Sequence, residues 1–181
     1  MEIIDLKVSV SGLLVRLERH TDTVCILIYN NEKKWILGQK PQYYLKGISR
    51  MVGGGVDVGE QHIDAAIREL QEETGLVVTV DELIPLIQIN IEATAHTKIG
   101  SASLPIFLCI TDQCLNASDD LESFAYLDDK EFTQLIDRFA SLPAIMTPGD
   151  PLTWSDYGKI WGPAHAWAFE KAKQIIKEKG L

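Results

Sequence analysis

The first residues of the chain, MEIIDLKVSV, alternate: Ile4, Leu6, Val8 and Val10 fall on one side of an extended backbone, with Asp5, Lys7 and Ser9 between them. A period of two predicts a half-buried strand. After a break near Ser11-Gly12 the same period resumes at Leu13, Val15 and Leu17 and predicts a second short strand. TVCILIYN, Thr23 to Asn30, is apolar without alternation, the pattern of a strand covered on both faces. Asn30-Asn31-Glu32 reads as a turn, and KWILGQK, Lys34 to Lys40, as the hairpin partner. PQYYLKGISR, from Pro41, reads as a loop. The period then changes. Ile63, Ala66, Ile67 and Leu70 recur at helical spacing and predict a helix from about Gln61 to Thr74, with Gly75 as its C-terminal cap. ELIPLIQINIEA, from Glu82, and SLPIFLCITD, from Ser103, predict two more strands, with Pro85 and Pro105 marking an edge or a strand start. Leu127 to Ala140 is an amphipathic helical stretch with Asp128 placed to cap it. A proline-rich connector, SLPAIMTPGDPLTW, leads to a last helix at about 163–179, with Pro163 in its first turn, lysines near its end and Gly180 as cap. Strands, helix, strands, helix, helix is the order of an α+β fold, and the 181 residues suit one domain.

Composition narrows the classes. At 46% hydrophobic and 24% charged the chain has ordinary globular usage. A net charge of −9 opposes a broad grip on polymeric nucleic acid, so any phosphate ligand needs a cation or a local cluster of donors. Three cysteines, Cys25, Cys109 and Cys114, show no metal spacing, and Cys25 and Cys109 lie in apolar runs that suit buried thiols. No window approaches the ~18 apolar residues of a membrane span, and the N-terminus lacks the basic start and apolar run of a secretory signal. The expectation is a cytoplasmic protein without a membrane partner.

The central helix carries an anomaly. With Glu69 at zero on a helical wheel, Ala66, Leu70, Ile63 and Ile67 fall between about 60° and 160° and form the expected buried arc. Glu72 and Glu73 fall at about −60° and 40°, so three carboxylates share a neighbouring face. Like charges at these spacings cost on the order of 0.2–0.5 kcal/mol each, and carboxylates in a last turn oppose the helix dipole. Local rules broken together mark functional sites. A divalent cation would turn both penalties into attraction, and oxygen ligands suit magnesium or manganese. A solvated acidic face is the ordinary alternative. The glycines Gly53, Gly54, Gly55 and Gly59 before the helix weigh against it, because they permit close backbone approach.

The joint spacing resembles the Nudix hydrolase signature: Gly54, five residues, Glu60, seven residues, Arg68-Glu69-Leu70, Gln71, Glu72-Glu73, Thr74, Gly75-Leu76. Every fixed position of that signature is filled. The resemblance implies an α/β/α sandwich with a mixed β-sheet and a loop–helix–loop motif. It further implies hydrolysis of a nucleoside diphosphate linked to another moiety, with Mg2+ or Mn2+ as cofactor and a small-molecule nucleotide as substrate. By position it makes Glu72 and Glu73 metal ligands, Glu69 a ligand or the group that activates water, and the Gly53 carbonyl a further metal contact. Glu60 and Arg68 become a structural pair, with Gly54 and Gly75 structural in the motif.

Around the motif the pattern departs from its relatives: Val52 stands where proline is common, and Ile48 and Ser49 where a tryptophan often is. Lys40 and Arg50 are candidate phosphate contacts. Asp119, Asp120 and Glu122 are candidates for a further acidic group. Tyr43, Tyr44, Trp154, Tyr157 and Trp161 are candidates to stack on a base, and Trp167 is expected in the core. The aromatic run TWSDYGKIWGPAHAW is expected to cover the pocket or a homodimer interface, and His62 to lie at the surface. Two other classes fit the sequence as well: a non-catalytic nucleotide sensor or interaction module of the same fold, and an isopentenyl diphosphate isomerase, which needs a suitably placed cysteine.

Overall fold

A computed structural model describes residues 1–13, 15–19, 22–40, 44–117, 121–148 and 152–180. Along the chain run β1 (Glu2–Ser9), α1 (Val15–Glu18), β2 (Cys25–Tyr29), β3 (Trp35–Gln39), α2 (His62–Thr74), β4 (Leu83–Ala95), β5 (Lys98–Ile110), β6 (Ser123–Leu127), α3 (Asp129–Ala140) and α4 (Trp154–Lys179). The six strands form one sheet in the order β1-β4-β5-β2-β3-β6. It is mixed: β1 with β4 and β2 with β5 are parallel, and the other pairs are antiparallel.

The side-chain period of a strand separates two cores. Cys25, Leu27 and Tyr29 of β2 point to one face, where they meet Trp35, Leu37, Phe132 of α3 and Phe169 of α4. Val24, Ile26 and Ile28 point to the other and pack with Ala65, Ala66 and Leu70 of α2. All five residues of β2 are buried, which is why its sequence does not alternate. The result is the α/β/α sandwich with a mixed sheet that the resemblance implies. Among the described residues no helix is long and apolar enough to cross a membrane.

Four expectations are corrected. The second N-terminal strand is instead the short helix α1. Leu13, just before α1, and Leu17 within it are both buried, and three alternating apolar residues are too few to separate a strand from a lead-in and one helical turn. Pro85 and Pro105 lie within β4 and β5, which are inner strands. Each sits just before a second neighbour begins to pair: β1 joins β4 at Ile87, beyond a bulge after Pro85, and β2 joins β5 at Ile106. The missing N–H therefore costs no ladder bond on that side. Strand β6, which extends the sheet beyond β3, was not anticipated, because SFAYL is too short to show a period.

The last helix starts at Trp154, not near Pro163, which lies in its interior. Thr153 caps it: its hydroxyl accepts from Asp156 N–H at 3.1 Å, and the Asp156 carboxylate accepts from the Thr153 hydroxyl at 2.9 Å. Asp156 also accepts from Ser11 N–H at 3.0 Å and Lys159 Nζ at 2.9 Å. Gly158, a breaker by propensity, is where α4 meets α3: a Cβ there would lie 2.1 Å from the Phe139 carbonyl oxygen. Close helix packing, not loop geometry, accounts for that glycine.

Candidate active site

The segment from Arg50 to Gly55 runs beside the sheet without joining it as a regular strand. Arg50 bridges to Gly38 of β3, Val52 to Ile26 of β2, and Gly55 to Thr23. Its glycines are set by neighbours. Gly53 has φ +140°, and a Cβ on it would lie 2.2 Å from the Val24 carbonyl oxygen, so only glycine fits. A Cβ on Gly54 would lie 2.3 and 2.4 Å from the two carboxylate oxygens of Glu69. The segment is thus pressed against the glutamate side of α2.

That contact rotates the buried face of α2 away from the expected arc. Glu69 and Glu73 are buried with Ala65, Ala66 and Leu70, whereas Ile63 and Ile67 are only half-buried and Glu72 is exposed. Gly75 ends the helix with φ 72°, its N–H bonded to the Gln71 carbonyl.

Arg68 organises the polar groups. Its Nε and Nη2 donate to the two oxygens of Glu60, both at 2.9 Å, and Nη2 also donates to the Gly55 carbonyl at 2.8 Å. Nη1 reaches Glu69 at 2.9 Å and Glu72 at 3.1 Å. The side-chain hydrogen bonds from Arg68, joined by one from Asp57 N–H, hold the Glu60 carboxyl down at about 2. Glu73 takes a different set of partners: its Oε2 accepts from Gly53 N–H at 2.9 Å, and Lys40 Nζ lies 3.7 Å from Oε1. Burial raises the Glu73 pKa, the Gly53 amide and Lys40 oppose the rise, and the charge of Glu69 adds to it.

The other candidates divide. Lys40 is at the glutamates. Arg50 lies in a box of aromatic rings, with its guanidinium carbon 3.8 Å from the Trp161 ring centroid, 5.7 Å from that of Tyr157 and 5.9 Å from that of Tyr44, while Nη1 donates to the Tyr157 hydroxyl at 2.9 Å. Glu122 is exposed, and its N–H donates to the Gln39 carbonyl at 3.0 Å, next in sequence to Lys40. Tyr43, Asp119 and Asp120 lie outside the described residues. Trp154, Tyr157 and Trp161 are buried against one another and belong to the core on the α3/α4 side. Their rings pack inside the protein instead of facing a base or a second subunit. Trp167 is partly buried against the same core, and His62 Nε2 lies 3.0 Å from Asp22 Oδ2. Cys25 and Cys109 are buried, and burial pushes both thiols up to about 11, which leaves neither suited to proton exchange near neutrality.

The sequence reading missed His165. It is fully buried on α4; Nδ1 lies 2.7 Å from the Trp161 carbonyl, and Nε2 accepts from Met51 N–H at 3.1 Å. A signal was present: Tyr157, Trp161 and His165 recur every four residues, one stripe of a helix.

Among the described residues no three acidic, histidine or cysteine side chains already converge as a metal cage; Arg68 and Lys40 occupy the carboxylates. The donor set nevertheless fits Mg2+ or Mn2+. It consists of hard oxygens. Glu73 is a buried carboxylate whose ionised form a further positive charge would favour, and Gly54 leaves the Glu69 carboxylate the room a Cβ would fill.

Comparison with known proteins bears on the family and the fold. The NUDIX domain family matches residues 19–113, just over half of the chain. Among solved structures, the MutT protein of Bacillus halodurans is 19% identical over 64% of this chain and 72% of its own, with a TM-score of 0.54. A Deinococcus radiodurans protein is 20% identical over 70% and 75%, with a TM-score of 0.52. A MutT/nudix family protein of Enterococcus faecalis is 23% identical over 59% of this chain, which spans 42% of that protein, with a TM-score of 0.47. At these identities the likeness is one of fold. No curated protein matches the chain significantly. The matched region contains the whole Gly54–Leu76 motif, and the chain belongs to the Nudix hydrolase family.

Proposed function

We propose that the protein is a divalent-metal-dependent pyrophosphohydrolase that cleaves a nucleoside diphosphate linked to another moiety by attack of water at phosphorus. The observation that carries this reading is the packing of a glycine segment onto Glu69 and Glu73 of one helix, which buries both carboxylates beside the exposed Glu72. Glu69, Glu72, Glu73 and the Gly53 carbonyl are the groups that would hold Mg2+ or Mn2+. Bound there, the ion would neutralise phosphate charge and lower the pKa of water. The chain's own part is positioning. Arg68 ties Glu60 and the Gly55 carbonyl to α2 and so fixes the glycine segment. The Gly53 amide orients Glu73. Lys40, 3.7 Å from Glu73, is placed to meet an anionic substrate. Glu69, which the motif makes a ligand or the group that activates water, would take the proton from the attacking water where it does not hold the ion.

The test is a panel of nucleoside triphosphates, nucleotide sugars and dinucleotides, assayed with and without Mg2+, on the wild type and on Glu72→Gln and Glu73→Gln. Metal-dependent turnover that collapses in both variants is expected. Turnover surviving both changes overturns the assignment, and tight nucleotide binding without turnover across the panel selects a non-catalytic sensor.

A further inference from the structure

The segment that carries Gly53 is gripped from both layers of the sandwich. Arg50 N–H and carbonyl pair with Gly38 at 3.0 and 2.8 Å, and the Val52 carbonyl accepts from Ile26 N–H at 2.8 Å. Between these bridges the Met51 amide is bonded not to a strand but to His165 of α4, and two residues later the Gly53 amide is bonded to Glu73 of α2. Three residues of the α4 stripe hold it on their side: Tyr157 accepts from Arg50, Trp161 lies under the Arg50 guanidinium, and His165 accepts from Met51.

Two features make this more than packing. A buried amide without an acceptor is costly, and an apolar side chain at 165 would leave Met51 N–H in that state. The imidazole is also fixed in one tautomer: Nδ1–H donates to the Trp161 carbonyl, so Nε2 is the acceptor. Burial, aided by the nearby Arg50 charge, lowers the His165 pKa to about 3, so Nε2 stays unprotonated near neutrality.

We propose that α4, which lies outside the family-matched region, is a positioning element of the glutamate site. His165, with Tyr157 and Trp161 acting on Arg50, fixes the strand-like segment that holds the Gly53 amide on Glu73. These are positioning residues that act through the segment. The proposal rests on the metal-site reading above only for its functional consequence.

The experiment compares wild type with His165→Leu, which cannot accept a hydrogen bond, and His165→Gln, which places an acceptor oxygen near the position of Nε2. Two quantities are read: the dissociation constant for Mn2+ alone, by electron paramagnetic resonance, and the Gly53 amide exchange rate relative to that of Leu70 in α2, without metal. His165→Leu is expected to weaken Mn2+ binding tenfold or more and to accelerate Gly53 exchange tenfold or more over Leu70, with His165→Gln within threefold of wild type on both. Loss of stability alone would move both amides together. A folded His165→Leu variant with wild-type Mn2+ affinity and an unchanged exchange ratio overturns the proposal. If His165→Leu does not fold, Tyr157→Phe decides by the same readouts, with threefold or larger effects expected and none overturning. If the wild type binds no Mn2+, the metal-site reading fails, and the exchange ratio still decides whether α4 positions Gly53.

Discussion

Replacing Gly54 by alanine isolates one contact. Gly54 is not among the positive-φ residues, so its backbone accepts a side chain, and any penalty is steric. The new methyl would sit 2.3 and 2.4 Å from the Glu69 oxygens, about 1 Å inside ordinary contact. Glu69 cannot retreat freely, because it is buried and held by Arg68 at 2.9 Å. Overpacking of this kind costs about 1–3 kcal/mol, and the reduced freedom of the unfolded chain returns about 0.4–1 kcal/mol. The net expectation is a loss of about 1–2 kcal/mol in urea unfolding. A shift of Glu69 by about 1 Å should lower kcat about 100-fold. In a Glu69→Ala background the clash is gone, so the same substitution should become neutral or stabilising by about 0.5 kcal/mol. Steady-state turnover and denaturant titration of the four proteins in this cycle check both numbers. A Gly54→Ala protein with full activity, or with the same stability change in both backgrounds, refutes the packing of Gly54 on Glu69.

Three further predictions follow from named contacts. His165→Gln should flatten the acid sensitivity of stability: with a folded pKa near 3 below the unfolded 6.5, wild-type stability is complete above pH 6.5 and falls by up to about 1.4 kcal/mol per unit as pH drops towards 3, a slope difference measurable by unfolding between pH 7 and 5. Arg68→Met should return the Glu60 carboxyl from about 2 towards its ordinary range, read by NMR titration; an unmoved Glu60 would remove Arg68 from the centre of the motif. Gly158→Ala, which drives a Cβ to 2.1 Å from the Phe139 carbonyl, should destabilise by about 2–3 kcal/mol in thermal melts while leaving the Arg68–Glu60 pair intact.

What the sequence discloses follows the range of the forces involved. The period of α2, its Gly75 cap and the buried run of β2 depend on neighbours a few residues away and are legible. So is the crowding of Glu69, Glu72 and Glu73, because it violates local electrostatics. The buried face of α2 was misplaced because the glycine segment, fifteen or so residues upstream, packs on the glutamate side and buries Glu69 and Glu73. Gly158 and Pro163 argue against a helix by propensity, yet α4 runs through them, because its contact with α3 requires a residue without a side chain at 158. Tyr157 and Trp161, candidates for stacking on a base, spend their rings on Arg50. That pairing joins residues over a hundred positions apart, and no local pattern announces it.

The dependence of the Met51 amide on His165 also bears on the order in which segments settle during synthesis. While residues beyond 150 are still inside the ribosomal tunnel, the exposed portion already contains β2, β3 and α2, but Arg50 lacks the Tyr157 and Trp161 rings and Met51 its acceptor. The segment that presents Gly53 reaches its final geometry only after α4 has emerged and docked, so it matures later in synthesis than the strands and the helix α2 that flank it.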